Sequence, residues 1–312
     1  IERRASSVEI YETLQVPNVL VGREYKVHGI ETKRGPVVVA TAPYPMRHHL
    51  LPENDLLRTI ADMDKALEEA LIARLDEMAQ EASQYDMPRI LTAHFSITGA
   101  MFGSERSVML GRDVVVMRSV IDNPVWDYVA MGHIHQHQNL TPNRPGSPPV
   151  VYSGSLERID FGEEADTKGF VWVELERGRA AWEFVPVNSR PFVTLRVDVR
   201  RSGDPTRQAI EEIARHDLRD AVVRVIVTAD PEADLLLQER EVFAALKNAY
   251  AHHVAAIVRN VERPARLRLG TSPEGLTPDQ LLERYLASKE VPFERIEELL
   301  EHARQIFNAE VE

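Results

Sequence analysis

The stretch Trp126-Asp127-Tyr128-Val129-Ala130-Met131-Gly132-His133-Ile134-His135 decides the reading of this chain. Its first half is an apolar and aromatic run of the kind that forms a strand buried in a sheet. Its second half is Gly-His-Ile-His. Extended backbone has a period of two, so His133 and His135 are expected on one side and Ile134 in the core. Neutral imidazole is a common metal ligand, and a strand end feeding a loop can hold such groups in place. Taken alone, the motif also describes a polar loop whose histidines only hydrogen-bond.

A second strand-like run, Arg89–Ala93, ends in His94 and is followed by the polar, glycine-ended stretch Phe95-Ser96-Ile97-Thr98-Gly99. Two neighbouring strands could converge His94 on His133. Three histidines could bind one zinc, whereas a phosphodiester-cleaving site more often holds two metals bridged by carboxylates. None of Glu105, Asp113, Asp122 or Asp127 has a spacing that supplies such a bridge. His137 continues the alternation and reads as a surface group. His48-His49 and His252-His253 are expected in loops without a ligand role. There is no Gly-rich phosphate loop, and Ser153-Gly154 lacks the flanks of a nucleophilic-serine elbow.

Around these motifs, residues 18–190 read as short strands with turn punctuation: Glu24–Ile30, Val37–Ala42, Arg89–Phe95, Asp113–Met117, Trp126–Met131, Val150–Ser153, Phe170–Glu176 and Ala180–Val187. Val37-Val38-Val39 and Val114-Val115-Val116 are continuous rather than alternating, which suits strands buried on both faces. One helix interrupts them, with Leu56, Ile60, Met63, Leu67, Leu71, Leu75 and Met78 at three- and four-residue steps. Asn188-Ser189-Arg190-Pro191 marks a junction. Beyond it, Phe192–Val199, Asp204–His216, Ala221–Val227, Glu232–Tyr250 and Val254–Val261 alternate as strand, helix, strand, helix, strand. After Arg268 a Gly/Ser/Pro/Thr linker leads to the capping box Thr277-Pro278-Asp279-Gln280. Pro292 then opens a helix in which Phe293, Ile296, Leu300, Ala303 and Phe307 are spaced 3, 4, 3, 4. The expected organisation is a layered sheet domain over 1–189, a small α/β domain over 190–268 and partner-directed helices over 269–312.

At 312 residues the chain is long enough for about two domains. It has no cysteine, which excludes disulfides, thiolate metal sites and cysteine nucleophiles. No apolar run approaches the ~20 residues of a membrane helix. The net charge of −12 argues at first against nucleic acid, but the acidity is confined to two segments, 54–86 and 271–312. Segment 190–268 holds 14 basic and 12 acidic residues, with Arg259, Arg263, Arg266 and Arg268 clustered near its end. The opening Ile1-Glu2-Arg3-Arg4-Ala5 has no initiator Met and no signal-peptide core, so the chain is expected to start inside a protein.

Four blocks, in this order and spacing, resemble the SbcD family, nuclease subunits of bacterial SbcCD complexes within the calcineurin-like metallophosphoesterase superfamily. They are Arg3-Arg4-Ala5-Ser6-Ser7-Val8-Glu9-Ile10-Tyr11-Glu12, Thr92-Ala93-His94-Phe95, Ala130-Met131-Gly132-His133-Ile134-His135, and Tyr152-Ser153-Gly154-Ser155-Leu156-Glu157-Arg158. The resemblance covers essentially the whole chain. It implies a mixed α+β and α/β fold: a layered β-sandwich phosphoesterase domain, N-terminally incomplete, with a small α/β capping domain and C-terminal helices. It further implies a two-manganese site in which His94 and His133 are ligands of the second metal and His135 of the first.

The family's Asp-x-His, Gly-Asp and Gly-Asn-His-Asp motifs, which carry the other ligands and the leaving-group histidine, would precede residue 1. By this resemblance, 1–312 alone is expected not to complete the dinuclear site. The capping domain is expected to contact double-stranded DNA ends and hairpins. The 3-4 spaced helix is expected to grip the coiled-coil base of an SbcC-type ATPase, in a heterotetramer containing two copies of the chain. The implied activity is ATP-dependent exo- and endonucleolytic processing of breaks and hairpins in repair and recombination, in the bacterial cytoplasm at the nucleoid. A small-molecule metallophosphoesterase and a non-catalytic assembly subunit are the alternative readings.

Overall fold

A computed structural model describes residues 9–51, 59–103, 114–142, 145–262, 276–289 and 291–309. Chain proximity divides it into two units. One comprises Ile1–Leu195, Ile213–Val225 and Phe243–Ala256; the other comprises Arg196–Glu212, Ile226–Val242 and Ile257–Glu312.

In the first unit, β1 (Lys26–Thr32) and β2 (Gly35–Ala42) form an antiparallel hairpin. They are joined by β3 (Arg89–His94) and, after the short strands β4 (Ser96–Ile97) and β5 (Val115–Val116), by β6 (Tyr128–Gly132). β7 (Gln138–Asn139) and β8 (Val150–Tyr152) complete a six-stranded sheet of order β1-β2-β3-β6-β8-β7. Its centre, β2-β3-β6-β8, is parallel. A parallel neighbour needs a crossover, and the helix Ile60–Ser83 supplies the one between β2 and β3. Thr59 caps that helix in a reciprocal box with Asp62.

The helix buries Leu71, Leu75, Met78, Ala79 and Ala82 in the same core as Val38, Ala40, Leu91, Val129, Met131 and Tyr152 from the sheet. The periodic stripe read from the sequence is therefore the face that packs; Leu56, its first member, lies outside the described residues, as do Glu105 and Asp113. β9 (Gly169–Glu176) and β10 (Arg179–Pro186) pair as a separate antiparallel ribbon.

β11 (Phe192–Asp198), β12 (Val222–Ala229) and β13 (His253–Val261) form a three-stranded sheet in that order. β12 alternates strictly between half-buried and buried positions, which is the period-two pattern of a strand covered more heavily on one face. The single helix expected over Glu232–Tyr250 is instead two, Pro231–Leu236 and Glu239–Asn248, separated where Leu237 turns to an extended conformation. Leu237 is buried there, so packing one large apolar side chain overrides helical continuity. His48 and His49, expected in a loop, lie in the short helix Arg47–Leu50, and His253 opens β13.

In the second unit, the Thr277/Gln280 capping box forms as its spacing predicts and starts the helix Pro278–Ser288. A second helix, Phe293–Ala309, packs against it, and Arg304 pairs with Asp279 across the two. No helix of the described residues is long and apolar enough to cross a membrane.

Candidate functional site

β3 and β6 are parallel neighbours whose register sets His94 opposite Gly132. Both strands therefore end at the same edge of the sheet, and His133 follows one residue later. Carboxyl ends of parallel strands are where open α/β sheets collect ligands, because chain leaving the sheet there is free to adopt specialised conformations. The His94 and His133 rings stand 5.3 Å apart, centre to centre, nearly edge to face. Tyr44, just beyond β2, lies 5.5 Å from the His133 ring and 6.5 Å from that of His94.

Two backbone features make this approach possible. His133 has φ of +94°, a left-handed conformation that a side-chain-bearing residue adopts only at a cost of about 1–3 kcal/mol. Gly132 leaves room for the neighbouring ring, since a Cβ there would stand 2.8 Å from His94 Nδ1. Ile134 is buried, but the strand ends at Gly132 and His133 is left-handed, so the extended alternation expected through His135 does not hold and the two histidines are held separately.

His135 is held separately. Its Nδ1 lies 2.8 Å from Oε1 of Glu163, a carboxylate only 1% exposed. The other carboxylate oxygen accepts from Lys168 Nζ at 2.7 Å and from the Ile159 N–H at 3.2 Å. Lys168, equally buried, also donates to the His135 carbonyl at 3.1 Å and to Asp166 at 3.3 Å. Desolvation pushes the Glu163 carboxyl upward, but hydrogen bonds from Lys168, His135 and Ile159, with the charge on Lys168, outweigh it and hold the group below the usual glutamate value. An ionised carboxylate only accepts, so this contact calls for a donor at His135 Nδ1.

His137 is half-buried, not a surface group. Its Nδ1 donates to the Tyr152 carbonyl at 2.9 Å, and its ring stacks on Phe184 at 4.1 Å. The Ser153-Gly154-Ser155 turn closes over this segment: Gly154 has φ of +78°, and a Cβ on it would meet the His135 carbonyl and His137 amide at 2.9 Å. Tyr152, fully buried, donates its hydroxyl to the Phe95 carbonyl at 2.7 Å and so ties β8 to the turn after His94. A concave space of about 1060 Å³ runs along the sheet face past Val39, Thr92, Tyr128 and Ala130 and ends at His94 and Gly132.

The His94–His133 ring-centre separation matches the roughly 5 Å of two imidazoles whose nitrogens lie about 2.0–2.1 Å from one ion at a tetrahedral angle. His135 fits a metal-facing imidazole in another respect, since ligating histidines usually donate their second nitrogen to a carboxylate. The three do not make one ligand cluster; among the described residues no group of three or more His, Cys, Asp or Glu side chains is arranged around a common ion.

The remaining residues singled out from the sequence are elsewhere. Arg259 is engaged by the chain's own carboxylates, Asp234 and Glu239 at 3.3 Å each. Arg263, Arg266 and Arg268 lie outside the described residues. In the C-terminal helix, Ile296 and Leu300 are buried, Ala303 is half-buried and Phe293 is exposed; Phe307 falls in the helix, its side chain outside the description. Sequence reasoning missed Glu163, Lys168 and Tyr44. The run Glu163-Glu164-Ala165-Asp166-Thr167-Lys168 has the composition of an exposed turn, and nothing in its local pattern marks two of its charges as buried.

No protein-family model matches the chain.

Proposed function

We propose that this chain is the metal-dependent nuclease subunit of a DNA-end-processing complex, built on a layered metallophosphoesterase sandwich and working with an SbcC-type ATPase in the bacterial cytoplasm. The observation that carries the reading is the convergence of His94 and His133 at the carboxyl ends of adjacent parallel strands, with His135 backed by a buried carboxylate. His94 and His133 would hold one Mn2+ and His135 a second. Two such ions supply water activation and charge neutralisation for in-line attack on a phosphodiester.

The chain's own part is to fix the three imidazoles. Gly132 admits the His94 ring, the left-handed turn at His133 aims its side chain back over β3, and Glu163 orients His135. The capping segment 190–268 and the helices 278–309 are assigned to duplex DNA and to the ATPase subunit, in an assembly with two copies of each chain.

The metal reading is tested by titrating the 15N-labelled chain with Mn2+ and following paramagnetic broadening of histidine ring signals. His94, His133 and His135 are expected to broaden before His48, His216 and His302, and His133→Ala is expected to weaken the effect at least about tenfold. Uniform broadening of all histidines would overturn it. The substrate class is tested separately by duplex and hairpin DNA binding across a salt series. A steep fall of affinity with salt is the signature of phosphate contacts; no measurable DNA binding would favour a small-molecule phosphoesterase.

A further inference from the structure

We propose that Glu163 and Lys168 are a pair of positioning residues that set both the tautomer and the place of His135. The pair acts on His135 at two points. Glu163 Oε1 takes the Nδ1 proton at 2.8 Å, and Lys168 Nζ holds the carbonyl of the same residue at 3.1 Å. Ring and backbone are thus anchored by two side chains that are themselves joined at 2.7 Å and almost completely buried.

Two buried charges are costly to desolvate, and a well-packed apolar pair of similar volume would often be at least as stable. Stability alone therefore gives no reason for an ammonium and a carboxylate here. A fixed proton does. With both Glu163 oxygens accepting, Oε1 from the ring and Oε2 from Lys168 and the Ile159 N–H, the alternative Nε2–H tautomer would present the Nδ1 lone pair to a carboxylate, and a ring flip would present only Cδ2–H. The ring is locked with Nε2 as its free electron pair, and Nε2 has no hydrogen-bond partner among the described residues.

Arg158 extends the arrangement. It donates to the Glu163 carbonyl at 3.1 Å and to the Asp166 carbonyl at 2.7 Å, so the turn carrying the pair is itself held from below. Neither Glu163 nor Lys168 would touch substrate or ion; both act through His135. The claim about the tautomer stands on its own, and only the claim that Nε2 faces a divalent cation rests on the proposed metal site.

The experiment is long-range 1H–15N correlation on the metal-free chain 1–312, which distinguishes the two ring nitrogens, with His135→Gln assigning the signals. The wild type is expected to show a protonated Nδ1 and an unprotonated Nε2. Glu163→Gln, whose amide can donate or accept, should yield a mixture of tautomers, while Glu163→Asp should retain more of the bias. Because Glu163→Gln leaves Lys168 partly unpaired and could lower folding yield, the double variant Glu163→Gln/Lys168→Met, which removes both buried charges together and leaves only the partly exposed Asp166 without its ammonium partner, provides a second readout. A protonated Nε2 in the wild type, or an unchanged tautomer in the folded double variant, would overturn the proposal.

Mn2+ added to the same samples reports on the metal separately. Broadening of His135 should need ~10–100-fold more Mn2+ in Glu163→Gln than in the wild type. A tautomer that follows Glu163 without any Mn2+ effect on His135 would support the positioning pair and overturn the metal-facing assignment of that ring.

Discussion

Gly132 lies directly beside the ring of His94: a Cβ added to it would stand 2.8 Å from Nδ1, closer than non-bonded atoms tolerate. The two residues are register partners on β3 and β6, so the clash cannot be relieved without moving one strand end or swinging the imidazole away. Gly132→Ala is accordingly expected to cost about 1–3 kcal/mol in urea unfolding. It should also weaken Mn2+ broadening at His94 and His133 by about tenfold or more. Wild-type broadening in a folded Gly132→Ala variant would show that the ring does not need this position.

Asp127 carries a purely structural load. One carboxylate oxygen accepts from the Arg89 N–H at 2.8 Å, and the other accepts from Arg177 at 2.7 Å and the Gly178 N–H at 2.8 Å. It therefore ties the start of β3 to the turn between β9 and β10. Asp127→Ala would orphan two amides and is expected to destabilise the chain by on the order of 3 kcal/mol. Asp127→Asn, which retains an acceptor, should cost less. Loss of under about 1 kcal/mol would mean water replaces the carboxylate there.

Alkaline stability should report on two tyrosines. Burial raises the hydroxyls of Tyr25 and Tyr128 above the ordinary tyrosine value. Above pH about 10 the unfolded chain releases these protons while the folded chain keeps them. The folded state then binds more protons, so stability is complete below that pH and falls as pH rises. For Tyr128, almost fully buried, the slope approaches about 1.4 kcal/mol per pH unit. Tyr128→Phe is expected to flatten the decline in urea midpoints between about pH 10 and 12; an unchanged decline would remove Tyr128 as its source.

The C-terminal helix separates two kinds of apolar residue. Ile296 and Leu300 are buried in the chain, whereas Phe293 is 68% exposed. Ile296→Ala should therefore cost on the order of 2 kcal/mol and lower the melting temperature. Phe293→Ala should leave melting unchanged and, on the proposed function, weaken capture of the ATPase coiled coil. Equal melting of the two variants would show that Ile296 contributes no packing within the chain.

Much of the scaffold was legible because its signals are local. The Leu71, Leu75, Met78 stripe and the Thr277/Gln280 box each depend on residues within one or two turns of one another, and each appears as its spacing requires. The continuous helix expected over Glu232–Tyr250 failed for the converse reason. Local propensity favours it throughout, but the burial of Leu237 breaks it.

The candidate site divides along the same line. Gly132-His133-Ile134-His135 marks a strand end from its own residues, since the strand-to-loop change is a property of adjacent backbone, but the left-handed turn at His133 that ends the alternation there is not written in them. Which histidines meet is decided by strand order. His94 faces His133 because β3 and β6 are hydrogen-bonded in register, and 38 residues of intervening chain carry no sign of that pairing. Glu163 and Lys168 are further still from legibility. Their composition is that of a solvated turn, and only the closing of that turn over His135 takes both charges out of water and makes each the partner the other needs.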